Sequence, residues 1–572
     1  MSWDNFLAFL TTLFSFDNQY PLLFTQFYFW AFFAIVYAGF ALIGNRILLR
    51  NTYLFFFSML FYYKTSGLFL ILLIVTTVIC FFSGKAIDLT SKPKLRKFYM
   101  ILGVFLNLAI LAYFKYAYFF TDLYNSLFQT DYEVINYIAK WSNEVIRKEH
   151  FDSSRILLPV GISFYTFQCI SYVLDVYRKR IPHTRNFLSF GFYVTFFPQL
   201  VAGPIVRANQ FMPQLYKKFF LTKKQFGIAV FWILNGLLKK IILSDYIAVS
   251  FVDRVFDNPL LFTSFENLFA LFGYSLQVYA DFSGYTDIAI GVAMLMGFYF
   301  PKNFNSPYKA TNPGEFWKRW HISLSTWLKD YLYIPLGGNR KGKIRTDINL
   351  MTTMLLGGLW HGASWNFVIW GGLNGIGIFV YKRWRKWTPL TKMIATLLLF
   401  ALFCALEMLF HQPIWRLSVV WSGIIFIGTF ISYIRHIITR KDPIRWMERV
   451  WGIFLTFIFI TFTRLFFRSG SNLDPKEASS TAWNTAKNMV NQIGGDWDLS
   501  IIPSIISTYK YVVILFLLGM ILHWLPDRWK RWYRVNFALL PIWVMVIIVV
   551  VAVFVVYQFI TADLQPFIYF QF

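Results

Sequence analysis

The sequence has 572 residues, of which 57% are hydrophobic and only 14% are charged, with a mean hydropathy of +0.51. A soluble globular protein carries about 25% charged residues, so this composition excludes an ordinary soluble domain. The formal net charge is +26, but the basic residues stand in short clusters between apolar runs, which indicates cytoplasmic loops and anionic lipid rather than nucleic acid. We therefore expect an all-α polytopic membrane protein.

Basic clusters predict the topology, because such clusters favour the cytoplasmic side. They lie at 45–50, 85–97, 177–185, 217–224, 339–345, 381–387, 435–450 and 527–534. If all are cytoplasmic, residues 98–119 run outward and 156–176 return. The mixed-charge stretch 120–154 then lies outside.

The same rule orients the C-terminal part of the chain. Residues 451–467 run outward and 510–525 return, so 469–500 is predicted to be a second outer loop. The last span, 537–559, then runs outward and leaves the C-terminus outside.

About 11–13 transmembrane helices are expected. Prolines and glycines interrupt the apolar pattern in 187–213, and we expect re-entrant or tilted segments there and in 300–345, since such backbone is tolerated at membrane depth only inside protein. The predicted divisions are a membrane core at 1–470, an outer loop at 471–509, a transmembrane hairpin at 510–560 and an extracytoplasmic tail at 561–572.

The tail ends in PFIYFQF, Pro566–Phe572, an apolar heptapeptide with one hydroxyl, that of Tyr569. An extended chain from Thr561 to Tyr569 spans about 25–30 Å, whereas half the hydrocarbon core is about 15 Å. The tail is therefore long enough to fold back to the middle of the membrane.

His361 lies in LLGGLWHGASWNFVIWGGLNG (355–375), an apolar stretch rich in glycine. An imidazole within a membrane span is costly and is a functional hypothesis by default. The glycines allow another helix or a ligand to approach closely. The structural alternative is a histidine that is hydrogen-bonded between helices.

His321 lies in GEFWKRWHISLSTWLKDYLYIPLGG (314–338), which predicts one amphipathic helix that begins at Pro313. Its predicted apolar face consists of Trp317, His321, Leu324 and Leu328. A plain interfacial helix with a basic rim explains this pattern, and so does a surface for a phosphate-bearing donor such as coenzyme A. The other five histidines are expected to be structural.

Polar residues interrupt two further apolar segments. YADFSGYTDIAIG (279–291) contains Asp281 and Asp287, and WILNGLLKKIILSDY (232–246) contains Asn235, Lys239, Lys240 and Asp245. They could pair structurally or line a polar tunnel. Cys80, Cys169 and Cys404 lack CxxC spacing and are expected to be core thiols, with no metal site. The sequence contains no GxSxG, HExxH, Walker A or Rossmann motif.

Together these segments, with LLPVGISFYTFQCISYVLDVYR (157–178) and FFPQLVAGPIVR (196–207), resemble the membrane-bound O-acyltransferase family over about residues 30–470. More narrowly, they look like its bacterial alginate O-acetyltransferase-like branch, which includes enzymes that acetylate peptidoglycan and exopolysaccharides. The resemblance implies a ring of helices around a central region, where a cytoplasmic donor tunnel meets an extracytoplasmic funnel. It also implies a multi-pass protein of the bacterial inner membrane.

The family's two histidine motifs correspond to His321 and His361, which the resemblance makes catalytic. FIYFQF is similar to a C-terminal motif of some relatives whose tyrosine accepts the acyl group first, which makes Tyr569 the third catalytic residue. No bound cofactor is implied, and acetyl-CoA is the expected donor substrate. Its phosphates are expected near Lys318, Arg319, Trp320, Arg340 and Lys341.

In the implied reaction, the acetyl group passes from Tyr569 to a serine of an extracytoplasmic SGNH-hydrolase-like partner and then to a polysaccharide. Three alternatives stay open at this stage. Transfer could be direct, with the tail only a docking strand; a carrier protein could donate D-alanine to teichoic acid; or the protein could be a transporter or flippase with a polar path through Asp281, Asp287 and Lys239.

Overall fold

A computed structural model describes residues 5, 11–16, 22–146, 152–200, 203–439, 445–468 and 475–560. Within these ranges all regular structure is helical and there is no strand, which confirms the all-α prediction. The tail with Tyr569 and the loop residue His150 lie outside the described residues.

The α-helices of the first half are long and apolar at the start of the chain, shorter and more interrupted between 187 and 257, and long again at Ser264–Leu295. They are Phe27–Ile43, Ile47–Ser66, Leu70–Leu89, Pro93–Leu111, Ala117–Phe128, Tyr137–Ile146, Ile162–Tyr177, Phe187–Thr195, Phe197–Leu200, Ala208–Leu215, Lys223–Leu237, Asp253–Asp257 and Ser264–Leu295. The segment 187–213 is thus broken into short helices, as predicted.

In the second half, short helices come first and longer helical pairs follow. They are Pro313–Arg319, Ile322–Leu328, Gly342–His361, Trp365–Trp384, Pro389–Phe410, Pro413–Thr439, Arg445–Thr463, Pro475–Ile493, Ile502–Thr508, Lys510–Trp524, Asp527–Leu539 and Ile542–Gln558. The described part of the predicted outer loop 469–500 contains the helix Pro475–Ile493. That helix is mainly polar, so apolar content did not reveal it.

Within the described ranges, four π-helical segments interrupt the α-helices: Ala112–Tyr116, Leu238–Asp245, Ala248–Val252 and Lys329–Tyr333. By length and composition, six helices of the described chain can cross a membrane, or eight if each of two bent pairs is one span. This is fewer than the predicted 11–13, because many apolar segments are divided into helices too short to cross alone. The predicted last span begins later, at Ile542, after a bend of 118° from the preceding helix.

The chain forms two compact units, each assembled from separate stretches of sequence. One comprises the described residues of 1–237, 284–302 and 532–551, and the other those of 238–283, 303–531 and 552–560.

In the first unit, the helices Leu70–Leu89, Pro93–Leu111 and Ile162–Tyr177 pack against one another. A side chain at Gly84 would lie 2.6 Å from the ring of Tyr172, so this contact requires glycine. Cys80 is buried in the same core and its sulfur accepts a hydrogen bond of 3.1 Å from Asn107 Nδ2. The three cysteines are free thiols; Cys80 and Cys169 are buried, as predicted for core thiols, whereas Cys404 is only partly buried.

The second unit is built largely from helical hairpins. Gly342–His361 pairs with Trp365–Trp384, and Pro389–Phe410 pairs with Pro413–Thr439. The turn between the second pair begins at His411, whose φ of 48° is left-handed and ends the preceding helix. The first hairpin carries one of the two predicted catalytic histidines.

Candidate active site

The helix predicted to run through His321 is broken at that residue. Pro313–Arg319 ends, His321 adopts a left-handed backbone with φ 42° and ψ 57°, and Ile322–Leu328 begins. The prediction of one continuous amphipathic helix is therefore wrong. A left-handed conformation is uncommon for a residue other than glycine and, at functional sites, is retained where the surroundings enforce it.

Asn303 enforces this turn from outside the motif. Its backbone carbonyl accepts the N–H of Ile322 at 2.9 Å, and its side-chain Oδ1 accepts the N–H of Ser323 at 3.1 Å. These are N–H groups at the start of the second helix, which have no partner within the helix itself. Asn303 therefore caps the start of this helix, a role that is normally taken by the residue just before the helix in the sequence.

Asn303 also orients the His321 ring. Its Oδ1 lies 3.3 Å from Nδ1 of His321, and the Ser323 hydroxyl lies 3.4 Å from the same nitrogen. Since Oδ1 already accepts from a backbone N–H, it is the acceptor here too, and Nδ1 of His321 carries the hydrogen. In a neutral imidazole, Nε2 then carries the lone pair.

His361 ends the helix Gly342–His361 and is buried in aromatic side chains. Its ring centroid lies 5.0 Å from that of Trp370, 5.1 Å from that of Trp360 and 5.5 Å from that of Phe467. The predicted placement of His361 in a tightly packed, apolar environment is therefore confirmed.

Glycine makes this packing possible. A Cβ at Gly358 would collide with the carbonyl oxygen of Phe367 and lie 3.1 Å from Cα of Gly371. The two helices of the hairpin therefore meet at backbone distance, just before His361. Asn366 fixes the far side, since its Nδ2 donates to the carbonyl of Phe466 at 3.0 Å, next to Phe467.

The two histidines meet although 40 positions separate them in the sequence. Their ring centroids are 6.5 Å apart, and both side chains are almost fully buried. Phe282 packs edge-to-face on His321 at 4.7 Å, on the side of the long helix Ser264–Leu295. The site is therefore a pair of imidazoles enclosed by aromatic rings, which suits proton transfer away from bulk water.

The residues predicted to hold the donor phosphates do not form one cluster with the histidines. Trp320 is buried and carries the Arg464 guanidinium over its ring at 4.5 Å, and Arg319 is paired with Glu315 at 2.8 Å. Lys318 is exposed. Arg340 and Lys341 are exposed before Gly342, and the 20-residue helix that follows places them about 30 Å from His361.

The polar residues of the interrupted segments pair with one another. Lys240 Nζ lies 2.7 Å from a carboxylate oxygen of Asp245 and 2.7 Å from one of Asp281. In the first unit, Asn235 donates to Asp287 at 2.7 Å. The predicted pairing is therefore observed for Asn235, Lys240, Asp245, Asp281 and Asp287.

Three residues of the site were missed by the sequence reasoning: Asn303, Phe467 and Arg464. Arg464 is buried and its guanidinium donates to the Tyr308 phenol at 3.1 Å. A buried arginine at the end of an apolar run was a usable signal, because such a charge requires partners. Asn303 and Phe467 have no comparable signal, since their roles depend on contacts between distant segments.

A family model for membrane-bound O-acyltransferases matches residues 110–435, which is more than half of the chain and includes both histidines. The matched range contains the predicted 355–375 and 314–338 motifs.

Curated relatives share this region. The chain is 43% identical over 299 residues to a Pseudomonas putida protein named "Probable alginate O-acetylase AlgI", covering 52% of this chain and 57% of that protein. It is 36% identical over 351 residues to the "Peptidoglycan O-acetyltransferase" of Helicobacter pylori, covering 56% and 63%.

A more distant relative is the "Teichoic acid D-alanyltransferase" of Bacillus subtilis, 28% identical over 263 residues, covering 43% of this chain and 64% of that protein. The chain thus spans between about half and two thirds of the length of the curated relatives it matches. From the family match we conclude that the chain belongs to the membrane-bound O-acyltransferase family.

Proposed function

We propose that the protein is a membrane O-acyltransferase that moves an acetyl group from cytoplasmic acetyl-CoA to hydroxyl groups of a cell-envelope or exopolysaccharide polymer. The observation that carries the proposal is the buried His321–His361 pair, with ring centroids 6.5 Å apart. The names of the alginate and peptidoglycan relatives support an acetyl group and a polymer acceptor.

In the proposed reaction, a hydroxyl oxygen attacks the thioester carbonyl of the donor while His361 removes the hydroxyl proton. The carbon–sulfur bond breaks, the thiolate leaves, and the proton returns to the sulfur, so that an ester and a free thiol are formed. A neutral imidazole has a pKa near 6.5, which suits general-base catalysis near neutral pH. Nε2 of His321 can accept a proton and complete the path between the reacting groups.

The attacking hydroxyl is proposed to be that of Tyr569, and the resulting aryl ester passes its acetyl group to a serine of an extracytoplasmic SGNH-hydrolase-like partner. An aryl ester has a better leaving group than an alkyl ester, so transfer onward to a serine and then to a sugar hydroxyl runs downhill. The last described helix, Ile542–Gln558, is followed by Phe559, whose ring lies 5.2 Å from that of Tyr246. The last described residues before the tail therefore lie in the unit that contains both histidines.

The test is acetyl transfer by the purified full chain, with His361→Ala and His321→Ala as variants and His436→Ala as the matched control. His436 is exposed on the helix Pro413–Thr439. Incubation with acetyl-CoA should release free CoA thiol, and the release should fall at least about 100-fold in both site variants but not in the control. Unchanged release in His361→Ala would refute the proposed chemistry.

The donor is tested in the same assay. If acetyl-CoA gives no thiol release but a D-alanyl carrier protein does, the donor is the one named by the teichoic acid relatives. If neither thioester is cleaved and the protein instead carries a solute across the membrane, the protein is a transporter and not an acyltransferase.

A further inference from the structure

A second histidine-centred cluster lies in the same unit, around His523 near the end of the helix Lys510–Trp524. The side chain of His523 is 3% exposed. The backbone N–H of Tyr308 donates to its Nε2 at 3.1 Å, so Nε2 is an acceptor and the ring is neutral with its hydrogen on Nδ1. Nδ1 is buried, and within the described chain it makes no hydrogen bond that meets the usual distance and angle limits. The backbone carbonyl of Ser306 nevertheless interacts with the ring.

Three lysines from separate segments converge on this ring, and each is half-buried. Lys530 Nζ donates to Ser306 Oγ at 2.8 Å and to the His523 carbonyl at 2.6 Å. Lys309 Nζ donates to the Leu525 carbonyl at 2.7 Å and lies 3.9 Å from Asp527.

The third lysine, Lys239, lies with its ammonium group 5.6 Å from the centre of the Tyr279 ring, and that ring is 4.6 Å from the His523 ring. The positive charges of all three lysines act on His523. Three half-buried ammonium groups beside a neutral N–H donor form an arrangement that favours an anion with several oxygen atoms.

Ring contacts connect this cluster to the candidate active site. From His523 they pass through Tyr279, Phe304 and Phe282 to His321, with centroid separations of 4.6, 5.9, 5.0 and 4.7 Å. All of these residues belong to one compact unit. An extended thioester arm laid along these rings would have its anionic end at the lysines and its reacting end at the histidines.

Location also favours this cluster over the residues expected from the sequence. Lys530 belongs to the basic cluster 527–534, which the charge pattern places on the cytoplasmic side, where CoA is found. Arg340 and Lys341 are about 30 Å from His361 along their helix, and Arg319 is already paired with Glu315.

We propose that Lys239, Lys309, Lys530 and His523 form the binding site for the phosphate groups of the CoA thioester donor. This inference rests on the proposed function and specifies where its donor binds. Because phosphate is also the charged group of anionic lipids, the experiment separates the two sources.

The experiment uses the full chain in phosphatidylcholine nanodiscs and measures the Kd of radiolabelled CoA by equilibrium dialysis. Lys309→Gln and Lys530→Gln should each weaken binding by about tenfold, since each removes a charge-assisted hydrogen-bond donor. The matched control is Lys510→Gln, at the opposite, exposed end of the helix that carries His523. It should bind CoA as the wild type does.

Three further measurements separate phosphate recognition from other causes of weaker binding. Lys309→Arg retains the charge and should restore most of the binding, which separates phosphate recognition from loss of folding. S-acetyl-pantetheine lacks the nucleotide phosphates, so its KM should be the same in Lys309→Gln and in the wild type. His523→Asn, which keeps an N–H near the position of Nδ1, should bind CoA more tightly than His523→Leu.

Wild-type affinity for CoA in the lysine variants overturns the proposal, as does an equal loss for S-acetyl-pantetheine. If instead these variants lose bound phosphatidylglycerol, measured by native mass spectrometry in phosphatidylglycerol nanodiscs, and keep CoA affinity, the cluster is a lipid site. Failure of the proposed function is a separate outcome, since it is judged by thiol release in His361→Ala and not by CoA binding.

Discussion

Asn303 Oδ1 accepts a hydrogen bond from Nδ1 of His321 over 3.3 Å, while the same oxygen accepts the backbone N–H of Ser323. One amide oxygen thus fixes both the left-handed turn at His321 and the orientation of its ring. The turn and the tautomer of His321 are therefore coupled, because both depend on hydrogen bonds to Asn303 Oδ1.

Asn303→Asp should shift the pH dependence of thiol release without breaking the turn. Aspartate keeps an oxygen for the Ser323 N–H but places a negative charge beside the imidazole, which stabilises the imidazolium and raises the pKa of His321. The neutral, proton-accepting form then requires a higher pH, so the acidic limb of the rate profile should move upward by about one pH unit or more. Because burial lowers the pKa of His321 to about 3 in the wild type, the profile is measured between about pH 3 and 9.

The matched variant is Asn303→Ala, which removes both contacts. It should lower kcat by about 10- to 100-fold and leave the acidic limb where it is in the wild type. If Asn303→Asp and Asn303→Ala give the same profile, Asn303 has only a structural role.

Gly358→Ala should destabilise the hairpin that carries His361. The added methyl group would collide with the Phe367 carbonyl oxygen, and backbone cannot move aside as a flexible side chain can. We expect a loss of about 1–3 kcal/mol, in the range measured for overpacking, seen as a lower Tm in detergent.

Gly372→Ala is the control for that prediction. A Cβ there would meet only the end of the Leu355 side chain, at 3.3 Å, which can turn away. The Tm of this control should change little. If the Tm falls equally in both variants, the cause is helix propensity or another general effect and not the contact with Phe367.

Lys240→Met should prevent the protein from accumulating in the membrane. Removing the ammonium group leaves the carboxylates of Asp245 and Asp281 together in a buried position, a change that costs about 3–5 kcal/mol. The measurement is the yield of monodisperse protein after detergent extraction.

The combined variant Lys240→Met/Asp245→Asn/Asp281→Asn removes all three charges and should recover part of that yield. If the single variant folds normally and abolishes only activity, these residues serve the reaction directly and not the fold.

Tyr569→Phe should abolish polymer acetylation in cells, because it removes the proposed acceptor oxygen and keeps nearly all of the apolar surface. Mass spectrometry of the C-terminal peptide after incubation with acetyl-CoA should find one acetyl group on the wild type and none on the variant. Phe570→Leu, a neighbouring change that keeps Tyr569, is the control.

Normal acetylation of the polymer by Tyr569→Phe would show that transfer is direct. Loss of partner binding on deletion of 566–572, with Tyr569→Phe still active, would identify the tail as a docking strand.

The sequence by itself determined the class of fold and the apolar, glycine-rich setting of His361. Apolar runs with few charges require helices that satisfy their own backbone hydrogen bonds, so an all-α membrane protein follows from composition alone. Proline and glycine in 187–213 act locally, and the helices there are short as predicted. His361 was recognisable because a polar ring in an apolar, glycine-rich stretch is costly unless it has a role.

Only the tertiary structure decided how the site is assembled. The break at His321 depends on Asn303, 18 positions earlier in the sequence, and a periodic pattern carries no information about a partner that distant. The lysines around His523 come from three segments, and nothing in the sequence indicated that Lys239, Lys309 and Lys530 would meet. Composition and periodicity describe each segment alone, whereas a site is defined by which segments come within a few ångströms of one another.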